Sequence, residues 1–287
     1  CSLEARYLQI FKGDEIEFPE DGYQGEDIKD LAKEYADLNG DSLVNVSTEE
    51  RKKALVDYAL PKNIKKMQAD MEKYKIFYDK WFFESELHKS GAVKAVVDLL
   101  TEKGLTYEKE GAVWYKNKEV LTQKLLKEGK SQKYIDNLEL KDDVLIRQNG
   151  NPTYFTADIA YHKNKFDRGF TTLIDVWGAD HHGHVMRMKG AMDAIGYDGD
   201  KLNVVLMQLV KLVKDGELVR MSKRTGKAIQ LGDLLDEVPV DSARFLFNTK
   251  EANTQMDFDL DLAVSQDNQN PVYYVQYAHA RICSIFK

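Results

Sequence analysis

Apolar residues recur at helical spacing through the first half of the chain. Leu3, Tyr7, Leu8 and Phe11 open the pattern, and Glu26–Asp37 and Glu49–Tyr74 continue it, with Gly40 as a stop after the first of these. Lys89–Lys103 is a further predicted helix, with Val93, Val96, Val97 and Leu100 on one face and Gly104 as its cap. Thr106–Tyr115 predicts a short hairpin carrying Trp114 and Tyr115 in its second arm. Residues 1–142 therefore read as a charge-rich, mostly helical α+β region. Its aromatic group Trp81, Phe82 and Phe83 is expected in the core rather than as a stacking surface. Lys62, Lys65 and Lys66 read as a solvated helix face.

From Val144 the period changes. Asn149-Gly150-Asn151-Pro152 signals a turn, Thr153–Thr156 a short strand, and Ala157–Asp167 a helix closed by Arg168-Gly169. Thr171–Trp177 is the next predicted strand, His181–Ile195 a helix capped by Gly196, and Asn203–Val210 a third strand. Strand alternating with helix implies an α/β fold with a parallel sheet and right-handed crossovers. Ligands of such sheets sit beyond the carboxyl ends of the strands. That rule selects Tyr154–Asp158, Gly178–His184 and the segment after Val210. Lys214-Asp215-Gly216-Glu217 predicts a hairpin with a primed turn, and the loop Arg220–Gly226 follows it. Gly232–Val238 and Asp241–Asn248 are predicted helices. Asn270-Pro271 starts a last one, through Val272, Val275, Ile282 and Phe286.

Composition adds bounds. The 287 residues are 43% apolar and 31% charged, as in ordinary globular proteins, and suggest about two domains. The net charge of −7 carries no whole-chain nucleic-acid signature. Cys1 and Cys283 alone make no disulfide framework, so a reducing compartment is expected. No apolar run reaches the ~18 residues of a membrane span. The chain begins and stops inside helical patterns, with Cys1 rather than Met first, and is expected to be a piece of a longer protein.

The candidate chemistry lies in three places. Gly178 removes a side chain where backbone must approach a ligand, and Asp180 at a helix start can accept from ribose hydroxyls or simply cap the helix. The helix start itself offers N–H groups and positive dipole to phosphates. His181, His182 and His184 invite a metal reading, but no second carboxylate-rich motif lies upstream to complete a two-metal site. Met221-Ser222-Lys223 puts a flexible point cation on a loop that can close over a triphosphate, or forms only a basic turn with Arg220, Arg224 and Lys227.

Arg220-Met221-Ser222-Lys223-Arg224 resembles the KMSKS loop of class I aminoacyl-tRNA synthetases. Asp175–Gly183, Tyr154–Tyr161, Asp257–Asp261 and Asn270–Arg281 resemble the arginine-specific members of bacterial type. The likeness extends more weakly to Ser2–Tyr7 and Pro19–Gly25. It implies the second half of a Rossmann-type nucleotide fold (143–262, with the KMSKS-like loop and a stem-contact region). A connective insertion would precede it (1–142), and the start of a helical anticodon-binding domain would follow (263–287). It further implies activation of L-arginine with ATP to arginyl-adenylate and transfer to tRNA(Arg). Tyr154, Asp158 and His181 match arginine-binding positions. Gly178, Asp180, His184, Met221, Ser222 and Lys223 match ATP-binding positions, with Ser222 and Lys223 also catalytic. ATP would come with Mg2+, no metal would be tightly bound, no membrane would be involved, and a cytoplasmic monomer is expected. Two departures stand out. Arg220 and Arg224 replace the first lysine and last serine of the motif, and the HIGH-type motif that the family places ahead of this region has no match ahead of Tyr154. That motif is expected upstream of Cys1, so the chain by itself is expected to be inactive. The rival readings are a metal phosphoesterase using His181 and His182, and a nucleotide- or RNA-binding module without chemistry.

Overall fold

Gly and Asn-type punctuation divides the chain where local backbone sterics require it, and the elements fall between these marks. The structure is a computed structural model that describes residues 1–219 and 229–287, without the side chain of Asp14. The described elements begin with α1 (Ser2–Lys12), α2 (Glu26–Asn39), α3 (Thr48–Lys73), α4 (Glu84–Lys89) and α5 (Ala92–Glu102). There follow β1 (Thr106–Lys109), β2 (Ala112–Tyr115), α6 (Asn117–Lys127), α7 (Gln132–Asp136) and β3 (Asp143–Ile146). The middle holds α8 (Tyr154–Asp167), β4 (Leu173–Gly178), α9 (His182–Ile195), β5 (Leu202–Met207), β6 (Val210–Lys214) and β7 (Glu217–Leu218). After residue 228 come α10 (Leu231–Glu237), α11 (Val240–Phe247), β8 (Met256–Asp259), α12 (Leu260–Val264) and α13 (Pro271–Ile285).

These elements form two compact units that interleave in sequence. One comprises Cys1–Tyr78, Val210–Lys250 and Met256–Lys287; the other comprises Asp79–Leu209 and Glu251–Gln255. In the first unit, α1, α2 and α3 close over Tyr7, Ala32, Ala36, Leu43 and Leu55. Tyr7 is fully buried, yet its hydroxyl is satisfied, donating to the Gly40 carbonyl (2.8 Å) and accepting from the Leu43 amide (3.1 Å). Buried Arg51 spends its donors on the Leu43 and Val46 carbonyls and on Glu4. The sheet of this unit has the order β7-β6-β8, with β6 and β8 parallel, and α10, α11 and α12 cover a core around Phe258 and Ala243. The last helix, α13, is attached at one end. Asn270, fully buried, accepts from the Val272 amide and donates to Ser242 Oγ and the Ala263 and Ser265 carbonyls. Beyond that cap, Val272 is the one residue of α13 that is buried.

The second unit carries an antiparallel sheet, β1-β2-β3, and a parallel pair, β4-β5, in register from Leu173↔Leu202 to Gly178↔Met207. Helices α5, α8 and α9 share one core with both, including Val96, Leu100, Tyr115, Leu145, Ile159, Met188, Met192 and Leu202. Along β4 the two-residue period sends Leu173 and Asp175 inward, while Ile174 and Val176 are 69% and 66% exposed. Along β5, Asn203, Val205 and Met207 share the exposed phase. One apolar face of this pair therefore stands bare.

The parallel α/β character, both hairpins, the primed turn of the second, the Asn270-Pro271 helix start and the helices over 26–37 and 49–74 form as expected. The turns at Glu110-Gly111 (φ 54° and 74°) and Asp215-Gly216 (φ 53° and 76°) have the left-handed pair that fits strand twist. Three expectations fail. Thr153–Thr156 is not a strand. Thr153 is the N-cap of α8 and Tyr154 its first residue. The two threonine hydroxyls explain why, since Thr153 Oγ1 donates to the Val144 carbonyl (2.7 Å) and Thr156 Oγ1 to that of Leu145 (2.8 Å). These bonds pin the helix start onto β3 where a β-type composition suggested a ladder. The run Asn203–Val210 also divides, ending as β5 at Met207 and resuming as β6 in the other sheet. Gln208 breaks the run by donating its amide to the Ala252 carbonyl. Finally, Lys89–Lys103 is not continuous, because Gly91 adopts φ 77° and separates α4 from α5. Of the aromatic trio, Phe82 packs on the core and stacks on Tyr161 at 4.6 Å, whereas Phe83 is 40% exposed.

Candidate functional site

Two helix starts flank β4, and the sequence-predicted residues gather at them. On α8, Tyr154 and Asp158 are four apart and so share a face. Tyr154 is 78% exposed. Asp158 Oδ2 lies 3.2 Å from His184 Nε2, while Oδ1 has no hydrogen-bond partner among the described residues. Asp158 also borders a cavity of about 300 Å³ with Phe82, Glu84 and Tyr161. Two carboxylates, Asp158 and Glu84, beside the Phe82 and Tyr161 rings suit a planar cation.

The second start follows β4. Gly178 ends the strand in extended backbone, and a Cβ built there would stand 2.6 Å from Asp180 Oδ1. Neither a positive φ nor a backbone clash calls for glycine here, since the exposed Asp180 side chain can turn away. Ala179–His181 form a single 3-10 turn that leads into α9, and no side chain caps either. Asp180 is therefore not acting as an N-cap. Its carboxylate is 83% exposed and lies 3.9 Å from His181 Nε2. The first N–H groups of α9 thus stay open to an anion, with an exposed carboxylate beside them that can accept from hydroxyls.

The histidines go separate ways. His184 is wedged between Phe155 (5.5 Å) and Trp177 (5.3 Å) and turned to Asp158. His181 lies 6.4 Å from Trp177, and His182 borders a different cavity with Met186 and Arg187. Among the described residues no group of three or more His, Cys, Asp or Glu side chains is arranged to hold a metal. The structure thus brings Tyr154, Asp158 and His184 together, and Gly178, Asp180 and His181 beside them. Met221, Ser222 and Lys223 lie outside the described residues.

Sequence reasoning missed what lies underneath. His162, 3% exposed, has Nδ1 2.7 Å from the Asp158 carbonyl and Nε2 bonded to Asp175 Oδ2. Lys165 donates to Asp175 Oδ1 at 2.7 Å. Burial pushes the Asp175 carboxyl up, but the His162 and Lys165 bonds outweigh it and hold it below the usual carboxylate value. At Asp143 burial wins instead, and the carboxyl is raised despite its Arg187 partner. The signal for Asp175 was present in the chain. It shares the inward phase of β4 with Leu173, where a carboxylate is out of place unless something pairs with it.

Residues 23–283 match the family model for the catalytic domain of class I tRNA synthetases, arginine type. An arginine–tRNA ligase of Ruminiclostridium cellulolyticum is 56% identical over the whole chain, and one of Caldanaerobacter subterraneus is 57% identical. The chain spans about half of each, 48%. A Campylobacter jejuni structure described as an arginyl-tRNA synthetase superposes with a TM-score of 0.81 at 36% identity, covering 99% of this chain and 58% of its own.

Proposed function

Because the chain belongs to the class I tRNA synthetases of the arginine type, we propose that the whole protein activates L-arginine with ATP and charges tRNA(Arg). The observation that carries this reading is the Asp158 carboxylate, bonded through Oδ2 to His184 on a residue that borders a cavity lined also by the Phe82 and Tyr161 rings. Arginine's carboxylate attacks the α-phosphorus of ATP, giving arginyl-adenylate and pyrophosphate. A ribose hydroxyl at the tRNA 3′ end then attacks the adenylate carbonyl and releases AMP. Asp158 receives the guanidinium through parallel hydrogen bonds, Tyr154 adds a phenol or ring face, and His181 approaches the same ligand. Gly178 lets the nucleotide come close to backbone, and Asp180 accepts from its ribose. His184, already holding Asp158, lines the boundary between the two substrates. Met221, Ser222 and Lys223 serve ATP binding, and Ser222 and Lys223 stabilise the charge that develops at the α-phosphate.

Residues 1–142 serve as the connective insertion, 143–262 as the second half of the nucleotide fold, and 263–287 as the start of the anticodon-binding domain. The bare face of β4 and β5, with Ile174 and Val176 outward, supports a sheet that other parts of the whole protein complete. The substrate nucleotide is Mg2+-ATP, and the protein works as a cytoplasmic monomer. The test is aminoacylation by the whole protein with each of the twenty amino acids. Charging confined to arginine and tRNA(Arg) is the expected result, and charging with another amino acid overturns it. The 287-residue chain alone, spanning about half the length of its relatives, is expected not to charge tRNA.

A further inference from the structure

Asp158 is held at both of its ends. Its carboxylate meets His184 Nε2 at 3.2 Å, and its main-chain carbonyl meets His162 Nδ1 at 2.7 Å. Both rings lean on Trp177, His162 edge-on at 6.2 Å and His184 tilted at 5.3 Å. Strand β4 supplies both supports, since Trp177 is two residues beyond Asp175 on the same phase. Asp158, His162, Trp177 and His184 thus form a closed ring of contacts, and Asp175 and Lys165 anchor it from below.

The chemistry of His162 is constrained. Both of its ring nitrogens are engaged, one at a carbonyl and one at a carboxylate. A buried charged network in the inward phase of a strand is not what packing alone selects, because apolar residues of similar volume serve stability there as well or better. This network ends on the residue that the guanidinium reading needs fixed.

We infer that His162 and Asp175 are positioning residues that hold Asp158 in the geometry that receives its cationic ligand, an inference that rests on the arginine reading given above. His162 fixes the first turn of α8 through the Asp158 carbonyl, and Asp175 fixes His162. Neither touches the ligand. Their effect is selective, because among the described residues no hydrogen bond joins the network to the Gly178–Asp180 turn.

The experiment is steady-state aminoacylation by the whole protein, with arginine and ATP varied separately, for His162→Phe, Asp175→Asn and Asp158→Asn. His162→Phe keeps a ring against Trp177 and removes both ring nitrogens. Where that variant does not fold, His162→Gln, which retains one donor, takes its place. The expected result is an arginine KM raised about tenfold to a hundredfold at an ATP KM changed less than about twofold. A role in stability alone lowers Tm and leaves both constants of the folded enzyme unmoved, and that result overturns the inference. A parallel rise in both constants overturns it equally. If Asp158→Asn raises the arginine KM while the His162 and Asp175 variants do not, positioning by this pair is wrong and the arginine reading stands. If Asp158→Asn itself is silent, the arginine reading fails and the inference falls with it.

Discussion

The two helix starts beside β4 differ in how their side chains are used, although neither has a side-chain cap. At the start of α8, Thr153 and Thr156 bond to β3, the Asp158 carbonyl to His162, and its carboxylate to His184. At the start of α9, His184 is committed to Asp158, while Asp180 just ahead of the helix stays 83% exposed. Under the proposed function, the ligands account for the difference. A guanidinium is a fixed cation that loses its water on binding, so it needs a carboxylate already in place. A triphosphate nucleotide brings its own acceptors to N–H groups that water can serve until it arrives.

This contrast can be broken by variants of the whole protein. The largest effect is expected at neither helix start. Lys223→Ala should lower kcat by ~10²–10³ with little change in the arginine KM, because its charge acts mainly in the transition state. A sharp rise in the arginine KM at constant kcat would show that the loop binds substrate instead. Next, Asp158→Asn should weaken arginine use by at least ~10² in kcat/KM, with ATP KM and Tm nearly unchanged. A large fall in Tm with normal arginine kinetics would make Asp158 a structural partner of His184 only. Asp180→Ala should do the reverse and more mildly, raising the ATP KM by about tenfold, a loss of ~1.4 kcal/mol, at constant Tm. Equal losses for both substrates would merge the two starts into one site.

The smallest effect concerns pH. The Asp175 carboxyl is held below its usual value in the folded protein, so the stability it contributes is present above the unfolded carboxylate value of about 3.9. It is lost as pH falls through the lower, folded value. Urea midpoints of the parent and of Asp175→Asn should therefore differ most near neutral pH and converge below about pH 4. A difference independent of pH would mean that the buried carboxylate gains nothing from its charge.

Much of this arrangement was legible in the chain, and what was not has definite causes. The Gly178–Asp180 turn could be read because a strand, a glycine and a helix start in succession have few local alternatives. The place of Tyr154 was misread because Thr-Tyr-Phe-Thr favours β structure locally. The bonds from Thr153 and Thr156 to β3 that override this preference join residues whose pairing no local pattern reveals. His162 was invisible for a related reason. On a helix an inward histidine is ordinary, and only the partner thirteen residues further along gives it meaning. Asp175 could have been found, since strand alternation alone assigns it inward beside Leu173.

The Asn270 anchor has a mechanical consequence. A helix clamped at one end by a buried side chain, and otherwise buried only at Val272, is a lever with its fulcrum at the cap. The 15 residues of α13 span ~22 Å at 1.5 Å per residue. A tilt of about 10° at Asn270 would then swing the Ile285 end by ~4 Å over that length. The few bonds around Ser242, Ala263 and Ser265 therefore set the aim of whatever the far end of α13 meets, and a loosened Asn270 would spoil that aim before it unfolded anything.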